Sequence, residues 1–380
     1  MCMNKKVGLL TFHAAYNYGS VLQAYATKVS IDKLGSDCQT INFRFKGQEK
    51  MYSLYNFHGN LRSILSNFYV MPKHFLRAQR SRRFEAFIKD YLNPTKVVRS
   101  RSEILEDLPK FDTYLSGGDQ LWNLHVVEYN RDVSVAGVYY QDFIKDARKA
   151  SFSTSIGNTK FEELQAQKDF LKDFDYISTR EKVAAEMIGD VIDHAIPVDE
   201  VLDPVFLLDT DDWKKLVNEE RIIKERYVLV YTLSSRRFIE SWSVAVKPFA
   251  DKHNLKVVFV SPKFTSPFKD IITVLNAGPL EFLNLYANAD VVIADTFHAL
   301  CFSILFRKPF YVLGNKYYKD DIRKTALVKK LLLEDRMISD ESILKDIDDY
   351  SINYAVANQV IEKERFHSIE CLRKAIGDEK

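Results

Sequence analysis

Residues 290–313 read DVVIADTFHALCFSILFRKPFYVL, two apolar runs with a single histidine, His298, between them. Asp290 to Ala294 is a short β-branched run of the kind that forms a buried parallel strand. Phe297 to Phe306 is apolar on every face, as a helix packed inside an α/β layer is. Pro309 to Leu313 supplies the next strand, so Thr296 falls at the N-cap and His298 in the first helical turn. Past the carboxyl end of a strand, at the start of the next helix, unpaired N–H groups and the helix dipole favour an anionic ligand. Two readings of His298 stay open at this point: a core histidine bonded to a carbonyl, or one that faces a ligand.

Working outward, Tyr227 to Tyr231 and Lys256 to Val260 read as further strands. Helices near Arg236 to Asp251 and Pro279 to Asn288 alternate with them. An equivalent series opens the chain: strand Lys5 to Thr11, a polar loop, helix Ser20 to Leu34 ending at Gly35, and strand Asp37 to Asn42. Short strands at Thr113 to Ser116, Ala150 to Ser155 and Tyr176 to Ser178 continue it. Strand, helix, strand order favours parallel sheets. The stretch IPVDEVLDPVFLLD (196–209) reads as a domain junction. The expected fold class is α/β with two Rossmann-like domains facing a cleft. Residues 1–198 form the N-terminal domain, with a basic helical insertion at about 50–110, residues 199–345 the C-terminal domain, and residues 346–380 a helical segment.

A chain of 380 residues that is 46% hydrophobic has material for two cores and is neither disordered nor fibrous. Its four cysteines show no CxxC or His-spaced pair, so neither a disulfide framework nor a zinc site is expected. The start, MCMNKKVGLLTF, lacks the pattern of a secretory leader, and no run approaches a membrane span. The expected location is the cytoplasm. The net charge of +2 conceals a basic segment from Arg62 to Arg101, interleaved with aromatics. It reads either as an ordinary solvated helix face or as a peripheral contact for the inner face of the membrane or an acidic acceptor. Nucleic acid is not expected, because no recognition motif accompanies the charge.

Three further places carry candidate chemistry. The first βα loop holds His13, Asn17, Tyr18 and Gly19 ahead of the helix, without the glycine spacing of a dinucleotide or triphosphate cradle. Ser116–Asn123, SGGDQLWN, follows a strand. Its paired glycines admit a close ligand, Asp119, Gln120 and Asn123 could bond sugar hydroxyls, and Trp122 could stack on a sugar face. The alternative is a turn with a core-packing tryptophan. Arg180, just after a strand, could hold a carboxylate or phosphate with its guanidinium fork, or pair with Glu181. Arg236 and Arg237 are a weaker pair of the same kind.

Taken together in order, NYGSVLQAYA, LSGGDQLWN, SFSTSIG, ISTRE, VLDPVFLL and ADTFHALCFSILFRKPFYV resemble the polysaccharide pyruvyl transferase family. The resemblance implies a GT-B-like arrangement of two Rossmann-like domains. It also implies phosphoenolpyruvate as donor and a sugar of a surface polysaccharide, or of its lipid-linked precursor, as acceptor. No redox cofactor and no obligatory metal are expected. On this resemblance His298, with Thr296 and Phe297, lies at the donor site, Arg180 matches an anion-binding arginine, and Asn17, Gly19, Asp119 and Gln120 match other recurring cleft positions; Arg236 is added as a donor contact from its own place after a strand. Asn17, Tyr18, Gly19, Gln120, Trp122 and Asn123 are the acceptor-binding candidates. His298 is the expected proton carrier, with Asp119 or His13 deprotonating the acceptor. This chain has Thr296 where the family usually has Ser, and Ala299 where Gly is common. A nucleotide-sugar glycosyltransferase and a non-catalytic envelope-assembly protein are the rival readings of the same scaffold.

Overall fold

The computed structural model describes residues 5–52, 61–129, 133–233, 236–261, 268–313, 322–338 and 340–378. The chain divides into two compact units. The first comprises Met1–Tyr69, Glu85–Leu208 and Lys363–Lys380, and the second Val70–Phe84 with Asp209–Glu362. Each is built on its own parallel sheet.

In the first unit, β1 (Lys6–Leu10), β2 (Asp37–Thr40), β3 (Thr113–Gly117) and β4 (Arg148–Phe152) stand in the order β2-β1-β3-β4, all parallel. A two-stranded parallel pair, β5 (Ile177–Thr179) and β6 (Val198–Glu200), continues from β4 through isolated bridges. Alternate residues of β1 go to opposite faces, as the period of a strand requires. Val7 and Leu9 join a cluster with Leu115, Phe152, Leu372 and Ile376, whereas Leu10 joins Phe12, Ile41, Tyr114 and Trp122. Both faces are therefore buried, which is why these strands read as continuous apolar runs.

In the second unit, β7 (Tyr227–Tyr231), β8 (Lys256–Val260), β9 (Ile272–Val274), β10 (Val291–Ala294), β11 (Phe310–Leu313) and β12 (Met337–Ile338) follow the order β12-β11-β10-β7-β8-β9. Val228, Val230, Val257, Val291 and Ile293 pack with Trp242 and Val246 of helix Arg236–Lys252.

The chain reverses direction across each sheet at one place. In the first, β2 lies on one side of β1 and β3 on the other, with Leu10 beside Ser116 in register. In the second, β8 and β10 flank β7, with Tyr231 beside Ala294. Ligands of open α/β sheets bind past the carboxyl ends of strands at such switch points, because the two following loops diverge there and leave a crevice. The loops singled out in the sequence, Thr11–Ser20, Ser116–Asn123 and Asp295–His298, leave these two places.

Part of the basic segment is paired with acidic residues of the same unit. Arg83 pairs with Glu281, Lys96 with Asp107, Arg99 with Glu49 and Arg101 with Asp142. Arg80 is buried over the ring of Phe84. Among the described residues no helix is long and apolar enough to cross a membrane.

Candidate functional site

At the switch point of the first unit the loops are held together by their own side chains. Asn17 caps helix Tyr18–Lys33, its Oδ1 accepting from Gly19 N at 3.0 Å. The amide of Gln23 donates to Thr11 Oγ1 at 2.7 Å. Gly118, at φ +81°, lies so close to it that a Cβ would stand 1.7 Å from Gln23 Oε1, so only glycine serves there. Gln120 and Asn123 are joined at 2.8 Å and close over Gly157, while Asn123 Oδ1 accepts from His125 N.

Several residues expected to meet a ligand are instead packed into the protein. Trp122 is fully buried, stacked on Tyr140 with centroids 5.4 Å apart and planes 2° from parallel, its Nε1 donating to Tyr139 O. It has no face left for a sugar, which corrects its assignment as an acceptor-stacking residue. Tyr18 is equally buried in the first turn of its helix. His13 is wholly buried, with Nδ1 3.1 Å from Thr11 O and Nε2 3.0 Å from Asn42 Oδ1. Burial lowers its pKa. With both nitrogens engaged and the ring neutral, it is a structural histidine and not the acceptor's base.

Arg180 sits after β5 with its side chain 1% exposed. Its Nη1 donates to Asp203 Oδ2 at 2.5 Å and its Nε to Glu181 Oε1 at 3.3 Å. Asp203 in turn caps the short helix Pro204–Leu207 through Val205 N. Burial alone would lower the arginine's pKa, but Asp203, Glu181 and Asp119 more than offset it and hold the guanidinium firmly charged. The arrangement is a buried ion-pair centre in which two of the three guanidinium nitrogens, Nε and Nη1, meet carboxylates. Asp119 is also buried, with Oδ1 accepting from Gln120 N at 2.8 Å.

The second unit's switch point has the opposite character. Thr296 caps helix Phe297–Leu305, its hydroxyl accepting from Ala299 N at 3.2 Å. Thr therefore performs the capping role expected of Ser at this position. The ring of His298, in the first turn and partly buried, meets Phe297 edge-on at 5.4 Å. Asp295 ties β10 to the end of β7 by accepting from Thr232 Oγ1 at 2.6 Å. Helix Ile322–Lys330 brings two cations that the sequence reading did not single out. Lys324, 5% exposed, donates from Nζ to the carbonyl of Asp295 at 2.8 Å, and Arg323 lies over the Phe297 ring at 5.4 Å. A helix start, two cations, an imidazole and the carboxylate of Asp295 thus gather at one strand end. The signal available in sequence was the pair Arg323-Lys324 on the helix after the strand that follows His298. Helix Arg236–Lys252 begins at Arg236, whose side chain lies outside the described residues.

A family model described as polysaccharide pyruvyl transferase matches residues 17–317. A search of curated proteins returns no significant match. Among solved structures, the S. aureus MnaA–UDP co-structure is similar with a TM-score of 0.52 at 11% identity, covering 96% of this chain and 97% of that one. The UDP-GlcNAc 2-epimerase of Methanocaldococcus jannaschii, in complex with UDP-GlcNAc and UDP, is similar with a TM-score of 0.50 at 10% identity, over 96% of this chain and all of that one. At such identity the likeness extends to the fold alone, two Rossmann-like parallel-sheet domains.

Proposed function

This chain belongs to the polysaccharide pyruvyl transferase family, and from that premise we propose that it transfers the pyruvyl group of phosphoenolpyruvate to a sugar of a surface polysaccharide or its lipid-linked precursor, closing a cyclic ketal. The observation that carries this reading is the cationic strand end of the second unit. Phosphoenolpyruvate is a small dianionic-to-trianionic molecule whose carboxylate and phosphate both need positive partners. The helix start at Thr296, with Lys324 and Arg323 beside it, supplies N–H donors and charge of the required sign.

In the proposed reaction His298 gives a proton to the methylene carbon of the donor, and the adjoining C2 becomes electron-deficient. One sugar hydroxyl bonds to C2. Phosphate leaves with the electron pair of its C2–O bond, and a second hydroxyl closes the ring. Two hydroxyl protons are lost in all: one balances the new methyl group and the other departs with phosphate. Lys324 and the helix N-terminus stabilise the charge that gathers on the departing phosphate, where fixed donors act most strongly. The polar loop around Asp119 and Gln120 in the first unit is assigned to the acceptor's hydroxyls. The reaction is placed on the cytoplasmic side, where phosphoenolpyruvate is made.

The test is incubation with phosphoenolpyruvate and a panel of lipid-linked oligosaccharides, following phosphate release and the mass of the glycan. Phosphate release with gain of a ketal-bound pyruvate is the expected result. Release of UDP or GDP from a nucleotide sugar, with no consumption of phosphoenolpyruvate, would falsify the proposal in favour of a glycosyltransferase.

A further inference from the structure

Past the end of β2 the chain runs on beside residues 94–98, joined to them by bridges between Thr40 and Pro94 and between Phe43 and Val98. The two stretches then part into helices Lys46–Tyr52 and Arg101–Asp107. A cavity of about 620 Å³ lies where they part, and every residue that lines it belongs to the first unit. Cavities of roughly 300–1,000 Å³ are of the size that takes small-molecule ligands. The floor is apolar and buried, formed by Phe43, Phe45 and Tyr129, while Lys46, Arg99 and Arg101 supply the charge, with no carboxylate among the described lining residues. Two carboxylates that do not line the cavity orient the guanidinium groups. Glu49 accepts from Nε and Nη2 of Arg99 at 3.5 and 2.9 Å. Asp142 accepts from Nε and Nη2 of Arg101, each at 2.8 Å, and the carbonyl of Ser134 accepts from Nη2 at 2.9 Å. Gly137 leaves the room which that pair occupies: a Cβ there would stand 2.2 Å from Arg101 Nη2 and 2.3 Å from Asp142 Oδ2. Each guanidinium is thus held at one edge. Among the described residues Nη1 of both arginines makes no hydrogen bond, and neither does Nζ of the exposed Lys46.

We propose that this cavity binds a phosphate-bearing sugar, with Lys46, Arg99 and Arg101 on the phosphoryl oxygens and the sugar ring over the apolar floor. The three cations outnumber their two carboxylates, so the local charge favours an anion. The unengaged Nη1 groups and the lysine ammonium are donors for a group with several oxygens, and a phosphoryl or pyrophosphoryl group has them. A bare phosphate would leave most of the volume and all of the floor unused. The part this ligand plays in the reaction rests on the pyruvyl-transfer reading and deepens it: the acceptor is a sugar joined to its carrier through phosphate, and the cavity holds it by an end remote from the reacting hydroxyls, where binding positions the substrate. Tyr129 connects the two places. It lines the cavity, and its hydroxyl donates to the carbonyl of Leu121 in the loop Ser116–Asn123, to which the acceptor's hydroxyls are assigned. Arg99 and Arg101 also close the basic segment for which an acidic acceptor is one of the sequence readings.

Hydrogen-exchange mass spectrometry of the full chain locates the site without turnover, using inorganic pyrophosphate, glucose 1-phosphate, a prenyl pyrophosphate-linked glucose and methyl glucoside as probes. Slower exchange in residues 43–50 and 98–104 is expected with the three phosphate-bearing probes and not with methyl glucoside. Tighter binding of the prenyl-linked probe than of glucose 1-phosphate assigns a carrier lipid as the source of the phosphate, and equal binding assigns a free sugar phosphate; each supports the site. Lys46→Glu alters an exposed side chain that holds no partner in place, so the unfolding midpoint should stay at the wild-type value. The same variant should weaken every phosphate-bearing probe by roughly 10-fold or more, the contribution of one hydrogen bond to a charged group. Arg99→Lys keeps the charge beside Glu49 but loses the planar fork, and a smaller loss of affinity is expected there. Protection confined to the second unit, equal protection by methyl glucoside, or wild-type affinity in Lys46→Glu overturns the proposal. In the transfer assay, Lys46→Glu should raise KM for a pyrophosphate-linked acceptor roughly 10-fold. Local protection without consumption of phosphoenolpyruvate defeats the transfer reading and leaves the binding site standing. Consumption of phosphoenolpyruvate without local protection defeats the site alone.

Discussion

At the end of β5, in the first unit, the chain buries Arg180 against Asp203 and Glu181, with the charge of Asp119 acting on it; past β10, in the second, it sets Lys324, Arg323 and His298 about a helix start. Both belong to parallel sheets of the same kind, but the first gathers three carboxylates about one guanidinium, whereas the second gathers two cations and an imidazole about a helix start. An arginine after a strand is therefore not by itself an anion clamp. What its guanidinium can hold depends on how many carboxylates the fold has already placed around it.

The largest effect is expected at Arg180. Replacing it with Met leaves Asp203 and Glu181 buried without their counter-ion, and the expected loss of stability in urea unfolding is about 3–5 kcal/mol. A loss under about 1 kcal/mol would mean that the ion pair is dispensable and that Arg180 is after all available to a ligand. On the second unit the expected effect is on chemistry. His298→Ala should cost roughly 100-fold in kcat, about 2.7 kcal/mol of barrier, with unfolding shifted by no more than about 1 kcal/mol. Wild-type turnover in that variant would remove His298 from the mechanism. Thr296→Ala sharpens the contrast at the smallest scale: loss of the cap should cost about 1 kcal/mol of stability and a modest rise in KM for phosphoenolpyruvate. A stability loss with donor KM unchanged would show the cap to be purely structural.

The sequence made the strands legible wherever both faces are buried, because a continuous apolar run needs no partner to be recognised. Tyr227–Tyr231 and Lys256–Val260 stand where they were expected. The strands missed, β6, β9 and β12, are two or three residues long and partly exposed, and so lack that signal. At the candidate sites, the loops were legible and the side-chain directions were not. His13, Trp122 and Arg180 have the chemistry of ligand-binding residues, and nothing in their local sequence announces Asn42, Tyr140 or Asp203 as the partners that absorb them. Lys324 was overlooked for the converse reason: it lies 26 positions beyond His298, and only the packing of two helices brings it to Asp295.

Residues 363–380 return to the first unit after all of Asp209–Glu362 has gone to the second. Leu372, Ala375 and Ile376 complete the apolar cluster that covers Val7 and Leu9 of β1 and Leu115 of β3. Each such leucine or isoleucine contributes about 1.5–3 kcal/mol when fully buried. On the ribosome, therefore, the first sheet emerges early with Ile31, Val201 and Leu207 to cover this face, while the share of the cluster supplied by Leu372, Ala375 and Ile376 is added only after Asp209–Glu362 has been made. A shortened chain ending before residue 363 would lack these three side chains, and its first unit is expected to unfold more readily than that of the full sequence.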